Sequence, residues 1–267
     1  MTGISLGPIV LSVDRFAFIA GIVAFLGLVA LIRRFGKPPA TLDAWATRLL
    51  VLGLVGGRLG YVALHLDIYA QSPLSVLAIW QGGFNAGAGF GAVAAGLGWM
   101  ALRKQGQAAG VLLGAVMASA LVWQGSLMAF PAPRMDLPDV TFTALDGPDV
   151  TLGQSGGRPV VINLWATWCP PCRRELPMMM ELAENTPDVD VIFLNQGEYG
   201  PAIRAYLYDE GLVTDRVVLD PAATAMALFD APGLPATLFF SSSGQMEGVH
   251  LGEISRAAFR SQLQALR

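Results

Sequence analysis

The chain is poor in charged residues and in cysteine. Of its 267 residues, only 14% are charged and 54% are hydrophobic, with a mean hydropathy of +0.52, which is too apolar for an ordinary soluble protein. Only two cysteines occur, three positions apart, so a disulfide-rich secreted fold is excluded. The net charge of -3 provides no positive surface for a polyanion, and we expect no nucleic-acid partner. Part of the chain must therefore lie in lipid.

Glutamate is absent until Glu175, and the composition changes near Pro131. Before that point, four apolar stretches are each close to the ~20 residues that cross a bilayer. They are approximately Val10–Ile32, Ala44–Leu66, Leu74–Leu102 and Gly110–Phe130. The sequence predicts a four-helix transmembrane domain over residues 1–130, a proline-rich linker at 131–135 and a separate domain over 136–267.

Basic residues between these stretches indicate how the helices are oriented, because Lys and Arg are enriched in cytoplasmic loops. They occur in the first loop, Arg33–Lys37, and in the third, Arg103–Lys104, whereas the second loop, Asp67–Pro73, has none. Four spans then place the N-terminus and residues 136–267 outside a bacterial cytoplasmic membrane. No positive n-region or small-residue cleavage site precedes the first span, so we expect it to remain as an anchor.

The second domain alternates short apolar runs with amphipathic helical segments, as βαβ units on one sheet do. Pro159–Ala166 is apolar except for Asn163, which is typical of a central strand covered on both faces. This run leads into Cys169-Pro170-Pro171-Cys172, and helical spacing resumes at Arg173. The sequence thus predicts a membrane helical bundle followed by an α/β fold.

The two cysteines lie where that helix is expected to begin. Free backbone N–H groups and the positive end of the helix dipole favour a thiolate at Cys169, which is the expected nucleophile. Cys172, one turn further on, is the expected resolving thiol that releases the substrate. Pro170 and Pro171 suit the first helical turn and restrict the loop.

A zinc half-site and a chance pairing are the alternatives for such a motif. Zinc needs four ligands, and neither His65 nor His250 lies near the cysteines in sequence, so no metal site is predicted. A redox role is favoured over chance because the pair follows a strand and opens a helix.

Leu164–Pro177, which reads LWATWCPPCRRELP, resembles the active-site segment of the TlpA/ResA-like thioredoxin-fold disulfide reductases. Residues 137–152 are similar to the β-hairpin that opens these domains, so the resemblance covers approximately Asp136–Arg267. It implies a thioredoxin-like fold, protein thiols or disulfides as substrates, such as those of apocytochromes or metallochaperones, and a supporting role for Trp168. It also implies no cofactor beyond the Cys169–Cys172 disulfide.

The resemblance further implies a cis-proline that faces the cysteine pair. Pro235, within Pro232–Phe240, matches that element, and a cis bond would direct the Leu234 backbone toward Cys169, where an extended substrate can pair with it. Without the resemblance, Pro235 reads as a trans residue that precedes a strand.

Glu175, the third residue after Cys172, matches a buried acid of the family that influences cysteine protonation and substrate contact. By itself it reads as an ordinary glutamate near the start of a helix. Asn163 stands where thioredoxins have a buried acid, so proton handling is expected to rely on Glu175 or on water.

In the membrane half, Val55–Val62 and Ile79–Phe84 resemble the early segments of prolipoprotein diacylglyceryl transferases, over approximately Ser5–Arg103. Where that family has a His-Gly-Gly element, this chain reads Asn85–Phe90, and the later Arg/Asn-rich catalytic segment has no counterpart. Lipid transfer is therefore not expected. The region is instead predicted to be a scaffold or a surface that binds lipid or a partner.

Arg58 lies within an apolar span, where a charge is costly. It is a candidate for binding a phospholipid headgroup or for pairing with Asp14, and the alternative is an arginine that snorkels to the outer interface. Several glycine pairs have the small-xxx-small spacing that permits close helix packing. They are Gly53/Gly57, Gly56/Gly60, Gly83/Gly87 and Gly87/Gly91.

The membrane half contains no cysteine, so it cannot relay electrons by thiol exchange as DsbD-like proteins do. A separate, DsbD-like reductase is the expected electron donor. The resemblance to the TlpA/ResA-like reductases implies that the membrane-anchored domain reduces protein disulfides. A disulfide oxidase or isomerase that uses the same residues is one alternative to a reductase. A lipid transferase and a non-catalytic binding module are alternatives from other classes of protein.

Overall fold

A computed structural model describes residues 4–6, 9–36, 38–70, 73–130 and 135–267. Except for Met135, the predicted linker at 131–135 lies outside the described residues. Two short strands, β1 (Ile4–Leu6) and β2 (Ile9–Leu11), pair as an antiparallel hairpin. The remaining described residues form a helical unit within 13–130 and an α/β unit within 135–267.

The helical unit has long helices joined by short turns. Three of the helices are long and apolar enough to cross a membrane: α1 (Val13–Phe35), α2 (Leu42–Leu64) and α5 (Gly106–Ala129). The short helix α3 (Leu66–Tyr69) follows α2, and α4 (Ala86–Leu102) precedes α5. These helices confirm three of the four predicted spans.

The third predicted span, Leu74–Leu102, is not one continuous helix. Its first part forms two 3-10 turns, Pro73–Leu77 and Ile79–Gln81, and the α-helix begins only at Ala86. Gly82 and Gly83 interrupt it with φ angles of 77° and 79°, and the Asn85 side chain then caps α4. With 17 residues, α4 is about 26 Å long, near the lower limit for a span.

Glycine lets α2 approach α4 closely. A Cβ added at Gly56 would lie 2.5 Å from the Cβ of Ala92, and one at Gly60 would collide with Ala88. The predicted packing role of the Gly56/Gly60 pair is thus confirmed. A Cβ at Gly91 would meet open space, so the Gly87/Gly91 spacing was wrongly interpreted as a packing contact.

The α/β unit is a seven-stranded sheet with helices on both faces. Its strands follow the order β4-β3-β7-β6-β5-β8-β9, in which β5, β6 and β7 are parallel and β8 runs antiparallel to β5. The elements are β3 (Thr141–Ala144), β4 (Val150–Thr151), β5 (Val160–Trp165), α6 (Pro170–Glu184), β6 (Asp190–Gln196), α7 (Gly200–Asp209), β7 (Val217–Asp220), α8 (Thr224–Leu228), β8 (Ala236–Phe240), β9 (Met246–Leu251) and α9 (Arg256–Ala265).

Two hydrophobic cores cover the faces of this sheet. One lies under α6, α7 and α9 and includes Trp165, Phe193 and Phe259, and the other includes Phe229 and Phe240. Every residue of β5 is buried, which confirms the predicted central strand. Because β5 is buried on both faces, the loop that leaves it toward α6 starts from a rigid position.

Candidate active site

The cysteines lie at the junction that joins β5 to α6. Cys169 is the N-cap residue of α6, and its Sγ accepts a hydrogen bond from the Cys172 backbone N–H at 3.4 Å. The two residues form a disulfide with a Cα–Cα distance of 5.3 Å. Pro170 and Pro171 occupy the first positions of the helix, where no N–H donor is needed. The predicted position of the pair at a helix start is confirmed.

The disulfide is nearly covered, while its neighbour is exposed. Cys172 is completely buried and Cys169 is 3% exposed, whereas Trp168 is 66% exposed. Both residues are buried, and of the two only Cys169 keeps any exposed surface. Exchange of the Cys169 sulfur with substrates stays a prediction.

The Leu234–Pro235 peptide bond is cis, as predicted. Pro235 comes directly before β8, and its carbonyl accepts a hydrogen bond from the Gly252 N–H at 2.9 Å. In the antiparallel pairing of β8 with β5, Ala236 stands opposite Leu164. Since β5 ends just after Leu164, the cis-proline loop and the loop carrying the cysteines lie at the same edge of the sheet.

Glu175 is buried at the centre of a polar network, being only 2% exposed. Its Oε1 accepts a hydrogen bond from Asn163 Nδ2 at 3.0 Å, and its Oε2 accepts one from the Ile254 N–H at 2.8 Å. Asn163 Nδ2 also donates to Thr237 Oγ1 at 3.1 Å. The carboxyl is thus bound directly to Asn163 of β5 and to the loop before α9, and Asn163 connects it to β8. An ordinary exposed glutamate has no such partners.

Burial dominates the protonation of this carboxyl. Loss of solvation raises the pKa of Glu175 to about 8, although the hydrogen bonds from Ile254 and Asn163 act in the opposite direction. The side chain is therefore mostly protonated at neutral pH. It can release or accept a proton in the range in which thiols ionise.

A surface ion pair also joins α6 to the loop before α9. Arg174 Nε lies 2.9 Å from Glu253 Oε2, and both residues are adjacent in sequence to the Glu175 and Ile254 pair. Two neighbouring links therefore join α6 to the loop before α9. The outer one is solvent-exposed on the Arg174 side and contributes little energy by itself.

Glu198 is a residue of this site that the sequence analysis missed. Its Oε2 accepts hydrogen bonds from the Thr167 backbone N–H at 2.7 Å and from Asn195 Nδ2 at 2.9 Å, and its Oε1 accepts one from the Thr167 hydroxyl. The available signal was Asn195, Gln196 and Glu198, three polar residues at and just beyond the end of an apolar strand. Side chains that follow neighbouring parallel strands meet at one edge of the sheet.

Arg58, the membrane candidate, neither pairs with Asp14 nor snorkels. It is 7% exposed and donates to four backbone carbonyls of the segment between α3 and α4. Nε bonds Val76, Nη2 bonds Ser75, and Nη1 bonds Gly82 and Gly83, at 2.7–2.9 Å. Carbonyls outside regular helix need such donors within a membrane. Contact of Arg58 with a lipid headgroup stays a prediction.

Within the described ranges, no group of three or more His, Cys, Asp or Glu side chains is placed to hold a metal ion. The described part of the helical unit does contain an apolar cavity of about 180 Å³ between α1, α2, α4 and α5. Its lining includes Phe25, Gly57, Phe90 and Trp123.

Comparison with known proteins assigns both halves of the chain. Residues 132–264 match the Redoxin family model, and residues 4–126 match the prolipoprotein diacylglyceryl transferase model. The thiol-disulfide oxidoreductase ResA of Geobacillus kaustophilus is 27% identical over 132 residues, covering 49% of this chain and 75% of that protein. The thioredoxin-like protein YneN of Bacillus subtilis is 28% identical, covering 47% and 75%.

Among solved structures, MTB DsbF in its mixed oxidised and reduced forms has a TM-score of 0.45 and 27% identity, covering 49% of this chain and 99% of that one. The fold and the cysteine pair define a membrane-anchored thiol-disulfide oxidoreductase. More specifically, a thioredoxin-like domain that matches the Redoxin model and is similar to ResA is fused here to a region that matches the prolipoprotein diacylglyceryl transferase model. The resemblances found in the sequence are confirmed.

Proposed function

We propose that this chain reduces protein disulfides on the extracytoplasmic side of a bacterial cytoplasmic membrane. Residues 1–130 would serve as a multi-pass anchor, and residues 136–267 would carry the chemistry. The observation that supports this most directly is the disulfide at the N-terminus of α6, with Cys169 the less buried of the two cysteines and a buried acid one turn beyond Cys172.

The reaction starts from the reduced domain. The Cys169 thiolate attacks one sulfur of the substrate disulfide, and the other substrate sulfur leaves as a thiolate that takes up a proton. Cys172, as a thiolate, then attacks Cys169 Sγ and releases the second substrate thiol. Two electrons have passed to the substrate, and the domain is left with the Cys169–Cys172 disulfide.

We propose that the ionised form of Glu175 accepts the proton of Cys172. The two residues are three positions apart on α6 and therefore share one helical face. The pKa of Glu175, about 8, is close to the ~8.5 of an unperturbed thiol, so a proton can pass between the groups at little cost. Once it holds this proton, Glu175 adds no negative charge that would oppose the Cys172 thiolate.

Restoring the reduced state requires a separate dithiol reductase. The chain has no cysteine besides Cys169 and Cys172, so the two electrons must come from another protein, for which a DsbD-like reductase is the candidate. Each cycle consumes one donor dithiol and returns one donor disulfide. The proposed reaction uses no cofactor other than the cysteine pair itself.

The reduction potential tests the direction of this reaction. The full chain in detergent would be equilibrated with dithiothreitol and glutathione buffers, and the fraction of reduced cysteine pair measured by thiol alkylation. We expect a potential at or below roughly -200 mV. A value near roughly -120 mV would contradict the reductase function and support an oxidase that uses the same residues. The Cys169→Ser, Cys172→Ser double variant gives the background.

A further inference from the structure

Two exposed aromatic side chains lie next to the site on neighbouring loops. Trp168 directly precedes Cys169, and Tyr199, the N-cap residue of α7, is 72% exposed without making a side-chain cap. Most aromatic side chains of the α/β unit are buried in its two cores. An exposed aromatic residue at a reactive centre is typical of a surface that binds a partner.

The sheet brings the two loops together. Trp165 at the end of β5 is the register partner of Asn195 near the end of β6, and the strands are parallel. The segment that contains Trp168 and the segment that contains Tyr199 therefore leave the same edge of the sheet side by side.

Glu198 then ties one loop to the other. Its carboxylate bonds the backbone N–H and the hydroxyl of Thr167, which precedes Trp168, while Glu198 itself precedes Tyr199. Trp168 therefore directly follows one of the two bonded residues, and Tyr199 directly follows the other. Asn195, which is fully buried, holds the carboxylate from the sheet side.

These contacts satisfy the Glu198 carboxylate before any substrate arrives. Three donors converge on its two oxygens, and hydrogen bonds to a charged acceptor are stronger than those between neutral groups. The two loops are therefore held in a fixed relation, which lowers the ordering cost of binding. The side chains left facing outward are the aromatic ones.

We propose that Trp168 and Tyr199 form an aromatic docking surface for the polypeptide segment around the substrate's cysteine. In this arrangement Tyr199 is a specificity-determining residue, and Glu198 is a positioning residue that acts through Tyr199 and Trp168. The inference rests on the proposed function, and it names the substrate class: an extended segment with an apolar or aromatic side chain beside its cysteine. Small disulfides without a polypeptide gain nothing from this surface.

The test compares a polypeptide disulfide with a small one. The full chain in detergent, reduced with dithiothreitol and freed of it, would be mixed with insulin or with hydroxyethyl disulfide, and single-turnover oxidation of the cysteine pair followed. Tyr199→Ala is expected to slow the reaction with insulin about 5- to 10-fold and to leave the reaction with hydroxyethyl disulfide unchanged. Tyr208→Ala is the matched control, because Tyr208 is 85% exposed at the opposite end of α7.

Glu198→Ala tests the positioning role. It removes the acceptor of all three hydrogen bonds, so Thr167 loses its connection to the segment that carries Tyr199. We expect a slower reaction with insulin, and we expect the Tyr199→Ala, Glu198→Ala double variant to lose no more than the slower single variant. Glu198→Gln is the conservative variant: its amide oxygen can accept from the Thr167 N–H and Asn195 Nδ2 while its NH₂ group donates to the Thr167 hydroxyl, so most of the rate with insulin should be retained. Circular dichroism shows whether each variant is folded.

Three results would overturn the inference. They are an unchanged rate with insulin in Tyr199→Ala, an equal loss with both disulfides, and an equal loss in Tyr208→Ala. Failure of the wild-type chain to react with either disulfide is a distinct result. It would overturn the proposed function itself, and this inference with it.

Discussion

The buried carboxyl of Glu175 predicts an unusual pH dependence of stability. The pKa of Glu175 rises from 4.5 to about 8 on folding because the side chain loses its solvation. Between these two values the unfolded chain binds fewer protons than the folded one, so the free energy of unfolding falls as the pH rises. The stabilising protonated form is fully present below pH 4.5 and is lost as the pH passes through about 8.

The size of the effect follows from the shift. A change of one pKa unit corresponds to ~1.4 kcal/mol, so Glu175 should lower the free energy of unfolding by about 3 kcal/mol between pH ~5 and pH ~7.5. Glu175→Gln removes this dependence. The variant loses about 1–2 kcal/mol because its NH₂ group must face either Asn163 Nδ2 or the Ile254 N–H. The variant is therefore expected to be less stable than wild type near pH ~4.5 and more stable by about 2 kcal/mol near pH ~7.5.

Urea unfolding of a fragment of residues 135–267 measures this directly. Both cores of the α/β unit are built from residues of this fragment, so we expect it to fold alone. The oxidised wild-type and Glu175→Gln fragments would be unfolded at several pH values and followed by circular dichroism. Glu181→Gln is the matched control, because Glu181 lies on the same helix and Arg256 lowers its pKa. If the free energies of unfolding of wild type and Glu175→Gln changed in parallel between pH ~5 and pH ~7.5, the reasoning would be refuted.

Two further predictions concern the helical unit, and both are checked by thermal unfolding of the full chain in detergent. Arg58→Met leaves four carbonyls without their donor and should lower the free energy of unfolding by ~2 kcal/mol or more. Arg48→Met, at an exposed position, is the control. Equal losses of stability in the two variants would contradict the bonding described for Arg58. Gly56→Leu should separate α2 from α4 because the added side chain meets Ala92. Gly110→Leu is the control and should be tolerated, because a side chain at Gly110 meets open space. A Gly56→Leu protein as stable as wild type would show that the helices do not pack this closely.

The parts of the site that were predictable from sequence are local in the chain. The apolar run before Cys169 and the helical spacing after Cys172 determine a strand and a helix, so the position of the pair at a helix start followed directly. The cis state of Pro235 was accessible only through its resemblance to a family motif, because a proline before a strand is compatible with either isomer.

The missed features depend on contacts between distant residues. Glu198 reaches Thr167 only because β5 and β6 are adjacent in the sheet, and no spacing in the chain shows that. The late start of α4 was missed because Leu74–Leu102 is apolar on average, while two positive φ angles at Gly82 and Gly83 interrupt the helix. Hydropathy reports where lipid or a core can lie, and it does not report where the backbone turns.

Trapping in cells tests the central claim most directly. In a Cys172→Ser variant of the full chain, Cys169 can attack a substrate disulfide, but the mixed disulfide cannot be resolved. We predict that this variant accumulates mixed disulfides with other proteins, visible as reductant-sensitive adducts on non-reducing gels. The Cys169→Ser variant, which keeps only the completely buried Cys172, should accumulate none. Absence of adducts on Cys172→Ser, or equal amounts on Cys169→Ser, would contradict the account.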